Sequence, residues 1–291
     1  TNAYGTASAM RCIYMNNGVL SGFTLIGGAT KTNGVDQSGG GVKMNGYSAS
    51  VTNCIIRNCR AAGNGGGADG DNSCTLNNCT LSENTANMGG GAASLTLNNC
   101  MLSGNTAQYG GGDYASTLNN CTISSNTAIM NGGGCHNDTL NNCAVWSNTA
   151  RASGGGVYRA TLSNCTIWGN TAGATGGGSY NGTLYNCTVS ENAATNMGGG
   201  SYADMLNNCI IWGNNLSGGE TSDVATGTYY YVCASGLSAL NGCISLDPMF
   251  VDAANGDLRL SAGSPCIDMG MNEVAPNRLD LDGHVRIVDG N

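Results

Sequence analysis

A cysteine preceded by asparagine returns at Cys54, Cys79, Cys100, Cys121, Cys143, Cys165, Cys187 and Cys209, at intervals of 25, 21, 21, 22, 22, 22 and 22 residues. Each carries the same surroundings. An aliphatic residue lies three positions before it, another two positions after it, and an Asn five positions after it from Asn84 to Asn214. A glycine triplet closes each of the first seven repeats, from Gly65–Gly67 to Gly198–Gly200. A unit this short cannot enclose a core of its own, so the repeats must stack to make one.

The spacing within a repeat fixes its local shape. The repeat cysteine and the aliphatic residue two positions later share one face of a strand. The aliphatic residue three positions earlier stands at odd spacing, so the chain must bend between the two. Asn, which tolerates left-handed backbone angles, suits that bend. The triplets mark a corner without room for side chains. Three glycines in a row exclude a helical solenoid, and neither a helix nor a lysine follows them as a phosphate loop requires. A six-residue aliphatic rhythm, the mark of the left-handed hexapeptide helix, is missing. The expected fold is all-β, a right-handed parallel β-helix with about 22 residues per coil. The repeat alone does not fix handedness, which rests on the crossover rule for parallel strands and on the family resemblance of the C-terminal stretch.

Three regions follow. Residues 1–53 read as irregular N-terminal coils with the insertion KTNGVDQSGGG, Phe23 standing where the repeats put Cys. Residues 54–214 are the regular coils, beginning with a copy in which Cys59 replaces the later Asn. Residues 215–291 lose the rhythm and form the C-terminal coils and end segment.

Stacking converts each repeated position into a column. The eight cysteines are expected to form an inward column, about 4.8 Å from coil to coil, as small buried thiols that resist reagents. That spacing leaves occasional vertical disulfides open. Cys12, Cys59, Cys74, Cys135, Cys233, Cys243 and Cys266 are the better disulfide candidates, and neither CxxC nor zinc spacing occurs. Two asparagine columns are expected to form amide ladders at inward bends. One is Asn53, Asn78, Asn99, Asn120, Asn142, Asn164, Asn186 and Asn208; the other runs from Asn84 to Asn214. Burial of the first would make sequons such as Asn78-Cys79-Thr80 by-products of the repeat.

Aromatic residues also fall into register. Tyr114, His136, Tyr158, Tyr180 and Tyr202 each lie two residues after a triplet, and Trp146, Trp168 and Trp212 three after a repeat cysteine. Two readings stand side by side: rows that stack on sugar rings or on another surface protein, and rows that stack on one another and stiffen the coil. The acids Glu83, Asp113, Asp138, Glu191 and Asp204 are scattered, with no two in one column of adjacent coils. On that ground the chain is expected not to be an enzyme and to need no cofactor. Ten basic residues against eighteen acidic ones, for a net charge of −8, leave no patch for nucleic acid. No apolar run is long enough to span a bilayer.

The C-terminal stretch LDPMFVDAANGDLRLSAGSPCIDMG, followed by DLDGHVRIVDG, resembles the end of the choice-of-anchor Q type β-helix proteins of bacteria. Their glycine-rich NNC coils are similar to residues 54–214, so the resemblance covers most of the chain. It implies a secreted or surface-associated β-helix and no catalytic residues. The chain stops at Asn291, short of the family's usual following stretch and of an anchor. A looser likeness is to the coils of polymorphic outer membrane proteins, whose Phe-based motif is not reproduced. Asp280 and Asp282 form an Asp-rich turn that resembles half a calcium loop, without the remaining ligands.

Two functional expectations result. One is a non-catalytic extracellular or cell-surface structural solenoid, an adhesin stalk or a subunit that adds end to end to copies of itself, since neither terminus reads as a polar cap. The other is a carbohydrate-binding or polysaccharide-degrading β-helix.

Overall fold

A computed structural model of the chain describes residues 9–32, 37–46 and 48–274. The repeats wind into an all-β parallel solenoid in which a regular coil has four short faces. In the coil of Cys121 these are Asp113–Tyr114, Thr117–Asn119, Thr122–Ser124 and Thr127–Asn131. Each face pairs in parallel with its counterparts above and below, so Leu97, Leu118, Leu140, Leu162 and Leu184 stand in one register. The face after the repeat cysteine forms a ten-stranded sheet and the next face a seven-stranded one. The other two faces merge into one sheet, because Ser201–Asn207 runs through their corner as a single strand. Among the described residues the helical segments are the 3-10 turns Ala253–Asn255 and Asn272–Val274, so no helix is long and apolar enough to cross a membrane.

The corners are single residues in the left-handed region. In the same coil they are Gly110, Ala115, Asn120 and Ser125, with φ of 63°, 57°, 53° and 55°. One such residue resets the in-out alternation, which is how Leu118 and Cys121 both point inward at odd spacing. The expected bend at the asparagine before each cysteine is therefore present, with φ between 52° and 57° from Asn53 to Asn208. The triplet corner is closed for a different reason. A Cβ on Gly133 would lie 2.2 Å from the carbonyl oxygen of Gly155 in the next coil. Only glycine permits the coils to approach at the parallel-strand spacing there.

The core is one continuous column of inward side chains. Leu118 and Ile123 are completely buried and Cys121 nearly so, and their equivalents repeat in the coils above and below. Each buried Leu or Ile contributes about 2 kcal/mol.

The C-terminal end differs from expectation. No cap is legible in the sequence, yet residues 241–244 lie along the last coil: Tyr231 N donates to the Asn241 carbonyl and Ala234 N to that of Ile244. The chain then turns back along the outside of the coils. Trp168 Nε1 donates to the Ala253 carbonyl at 3.2 Å, and Asn208 makes two 2.8 Å bonds with the backbone of Met271.

Candidate functional site

The inward asparagine column is a complete hydrogen-bonded ladder. Asn84, Asn105, Asn126, Asn148, Asn170, Asn192 and Asn214 are at most 1% exposed. The Oδ1 of Asn126 accepts from both the backbone N and the Nδ2 of Asn105, at 2.9 and 3.0 Å. Its Nδ2 donates to the Leu102 carbonyl and to the Asn148 Oδ1, at 3.0 and 2.9 Å. The same pattern repeats until Asn214 donates twice to Asp223 Oδ1, a carboxylate that needs no further amide. The ladder satisfies buried backbone groups and offers nothing to a ligand.

The cysteine column is likewise internal. All eight members are at most 3% exposed, and every cysteine in the chain is a free thiol. Burial, with the neighbouring thiols, holds Cys165 and Cys209 well above the usual thiol range.

Two acids that the sequence reading keeps apart are brought together. Asp113 follows one triplet directly and Asp138 stands four residues after the next, in different columns of adjacent coils. The corner between them turns both inward, at 0% and 2% exposure. Asp138 accepts from Ser116 N and His136 N, each at 2.7 Å. Neither oxygen of Asp113 accepts a bond. Two facing carboxyls are both acceptors unless one carries a proton, so burial and then the charge of Asp138 drive Asp113 well above the carboxylate range. Burial raises Asp138 to about 7, and Asp204, which accepts from Ser201 Oγ at 2.6 Å, to about 6. These acids are sealed from any polymer outside the coil, whereas Glu83 and Glu191 are exposed and lie in coils far apart.

The aromatic column is a ring stack. Centroid separations are 5.1 Å for Tyr114–His136, 4.8 Å for His136–Tyr158, 4.9 Å for Tyr158–Tyr180 and 5.3 Å for Tyr180–Tyr202, with interplanar angles of 20° or less. The ring faces that would cover a sugar are thus taken by neighbouring rings, and Arg159 adds a cation 5.4 Å above Tyr158. Burial lowers His136 to about 4 and keeps it neutral. The tryptophans form a second, interrupted row: Trp146 pairs with Trp168, but Ser190 stands between Trp168 and Trp212. Trp168 is held by the returning C-terminal segment, while Trp146 is 38% exposed. Asp280 and Asp282 lie outside the described residues.

The asparagines before the repeat cysteines depart most from expectation. From Asn53 to Asn120 they are exposed and form no ladder, and amide-to-amide bonds in this column appear only nearer the C-terminal end. The left-handed corner turns Asn78, Asn99 and Asn120 outward, and their side-chain amides make no bond within the protein, so the sequon at Asn78 is exposed. The second amide ladder belongs instead to their neighbours: Asn98 Nδ2 donates to Asn77 Oδ1, Asn119 to Asn98 and Asn141 to Asn119, at 2.9 to 3.0 Å. Together with Thr80, Met101 and Thr122, the three free amides line a shallow groove that crosses the coils. Toward the C-terminal end the column is occupied. Asn164 donates to Asn142, Asn208 donates to Asn186, and Asn208 binds Met271. No sequence signal separates the free stretch from the occupied one, because the returning segment is set by the tertiary fold.

No family model and no curated protein matches the chain. Among solved structures it is similar to the crystal structure of pectate lyase Pel9A, with 14% identity, 87% of this chain and 81% of that chain covered, and a TM-score of 0.42. This comparison corrects the expectation that the chain is not an enzyme. That expectation rested on scattered acids in a β-helix, and the similar chain is an enzyme.

Proposed function

We propose that the protein is an extracellular β-helix that binds a neutral polysaccharide along the groove of Asn78, Asn99 and Asn120. The observation that carries this reading is a comparison among corners of the same chain. Corners with the same φ tolerate Ala115, Arg159, Glu83, Ser125 and Gly104. The corner before the cysteine is Asn in all eight repeats. Backbone conformation alone therefore does not account for the uniform amide, and in four coils, those of Asn53, Asn78, Asn99 and Asn120, that amide bonds to nothing in the protein. A row of amides repeating about every 4.8 Å presents donors and acceptors at regular steps, as the hydroxyls of an extended polysaccharide require. The net charge of −8 favours an uncharged polymer over a polyanion. The likeness of the C-terminal stretch to choice-of-anchor Q proteins supports the extracellular setting.

The test is affinity electrophoresis through gels of soluble neutral polysaccharides, followed by titration calorimetry and assay for chain cleavage. The Asn78→Gly/Asn99→Gly/Asn120→Gly protein keeps the left-handed corners without strain and is expected to bind at least tenfold more weakly. Tyr158→Ala and Tyr180→Ala are expected to bind unchanged. A wild-type chain that no neutral polysaccharide retards, or a triple variant that binds like wild type, would overturn the proposal.

A further inference from the structure

At the N-terminal end of the inward ladder the amides give way to sulfur. Asn84 Oδ1 accepts from Cys59 N at 2.9 Å, and Cys59 fills the ladder position of its own coil. In the coil below, that position is Gly28, which has no side chain. Cys12 takes up the space: a Cβ on Gly28 would lie 2.7 Å from the Cys12 Sγ. Cys12 reaches it from the triplet side of the coil, since Ile13 is in register with Val42 and Cys12 N donates to the Gly40 carbonyl. The two thiols lie on either side of that space, the Cys12 Sγ 3.7 Å from the Ile26 carbonyl and the Cys59 Sγ 4.0 Å from that of Leu25, and are electrostatic neighbours. The other end repeats the arrangement. Cys233 starts the last strand of the ten-stranded sheet with its thiol 3.1 Å from the Leu246 carbonyl, and the returning segment, turned at the buried Ser264 whose Oγ accepts from Cys266 N, brings the Cys266 thiol beside it as an electrostatic neighbour.

These two pairs differ from the eight-membered column. Column neighbours sit on in-register parallel strands about 4.8 Å apart, beyond the usual Cβ separation of a disulfide, and every member is buried. In each end pair the partners approach from different positions of the coil. One member is buried, at 0% for Cys59 and 4% for Cys233, and the other is accessible, Cys12 being exposed and Cys266 half-buried.

We propose that Cys12–Cys59 and Cys233–Cys266 are oxidation sites that close into two disulfides, one fastening each end of the solenoid, while the column stays reduced. The oxidant is a disulfide of the glutathione class. The accessible thiolate attacks one sulfur of the oxidant and releases a glutathione thiolate. The buried thiol, losing its proton, then displaces the second glutathione from the mixed disulfide. Two protein thiols are oxidised and one glutathione disulfide is reduced to two thiols. The neighbouring thiol of Cys59 lowers Cys12 to about 7, which supplies an attacking thiolate at neutral pH, and the thiol of Cys233 shifts Cys266 in the same direction.

The experiment uses the full 291-residue chain, reduced, then exposed to a glutathione redox buffer, alkylated while folded and again after denaturation, and mapped by peptide mass spectrometry. The expected peptides are the cross-links Cys12–Cys59 and Cys233–Cys266, with the remaining cysteines alkylated only after unfolding. Cys266→Ser should leave Cys233 reduced and the first cross-link intact, and the C-terminal segment should be cut by protease at least tenfold faster than in oxidised wild type. Cross-links within the column, other pairings, or glutathione retained on Cys12 and Cys266 without an internal bond would each refute the proposal.

Discussion

Replacing Asn126 by alanine tests whether the buried amide ladder holds the coils together. The side chain makes four bonds: it accepts from the N and Nδ2 of Asn105 and donates to Leu102 O and Asn148 Oδ1. Alanine leaves the buried backbone N–H of Asn105 and one of its two Nδ2 hydrogens unpaired, the other hydrogen staying on the Leu81 carbonyl, and the Leu102 carbonyl loses one donor. An unsatisfied buried group costs about 1 to 3 kcal/mol, so the two donors together predict a loss of about 4 kcal/mol. Asn120→Ala is the control, because that side chain is exposed and makes no bond in the protein. It should cost only the left-handed penalty, about 1 kcal/mol. Urea unfolding at neutral pH, followed by tryptophan fluorescence, compares the two midpoints at matched slope. A loss below about 1 kcal/mol for Asn126→Ala, or equal losses for the two variants, would refute the reasoning.

Three further outcomes are expected. Stability should fall as pH rises from about 4 to about 7: Asp113, Asp138 and Asp204 have folded pKa values raised above the unfolded carboxyl value and together outweigh His136, whose lowered value acts in the opposite direction, so the folded state binds more protons in that window. Asp113→Asn should flatten the slope of melting temperature against pH, and an unchanged slope would show that the acids do not face one another. In the reduced, folded protein a thiol reagent should react fast with Cys12 and Cys266 and with none of the eight column cysteines until denaturation; rapid loss of column thiols would place them outside the core. Tyr158→Ala removes ring contacts on both sides and the Arg159 contact, and should lower stability by about 2 kcal/mol; a smaller effect than that of Trp146→Ala would indicate that the stack is not structural.

Much of the fold was legible because one period forces one register. Leu118 and Cys121 at odd spacing demand a bend, and asparagine supplies it; Gly132–Gly134 repeat where a side chain would strike the next coil. The order of inward positions is therefore a local property, written into every repeat. What lies outside the repeat was decided only in three dimensions. Asp113 and Asp138 occupy different columns, and their meeting depends on how a left-handed corner turns each inward. Asn78 and Asn84 are the same residue type with the same period, yet one corner faces outward and the other position inward, so one amide is free and the other has three bonds. Most of all, the return of residues 250–271 over Trp168 and Asn208 joins positions up to 85 residues apart. No period encodes that path, since it depends on the outer surface that the stacked coils first create.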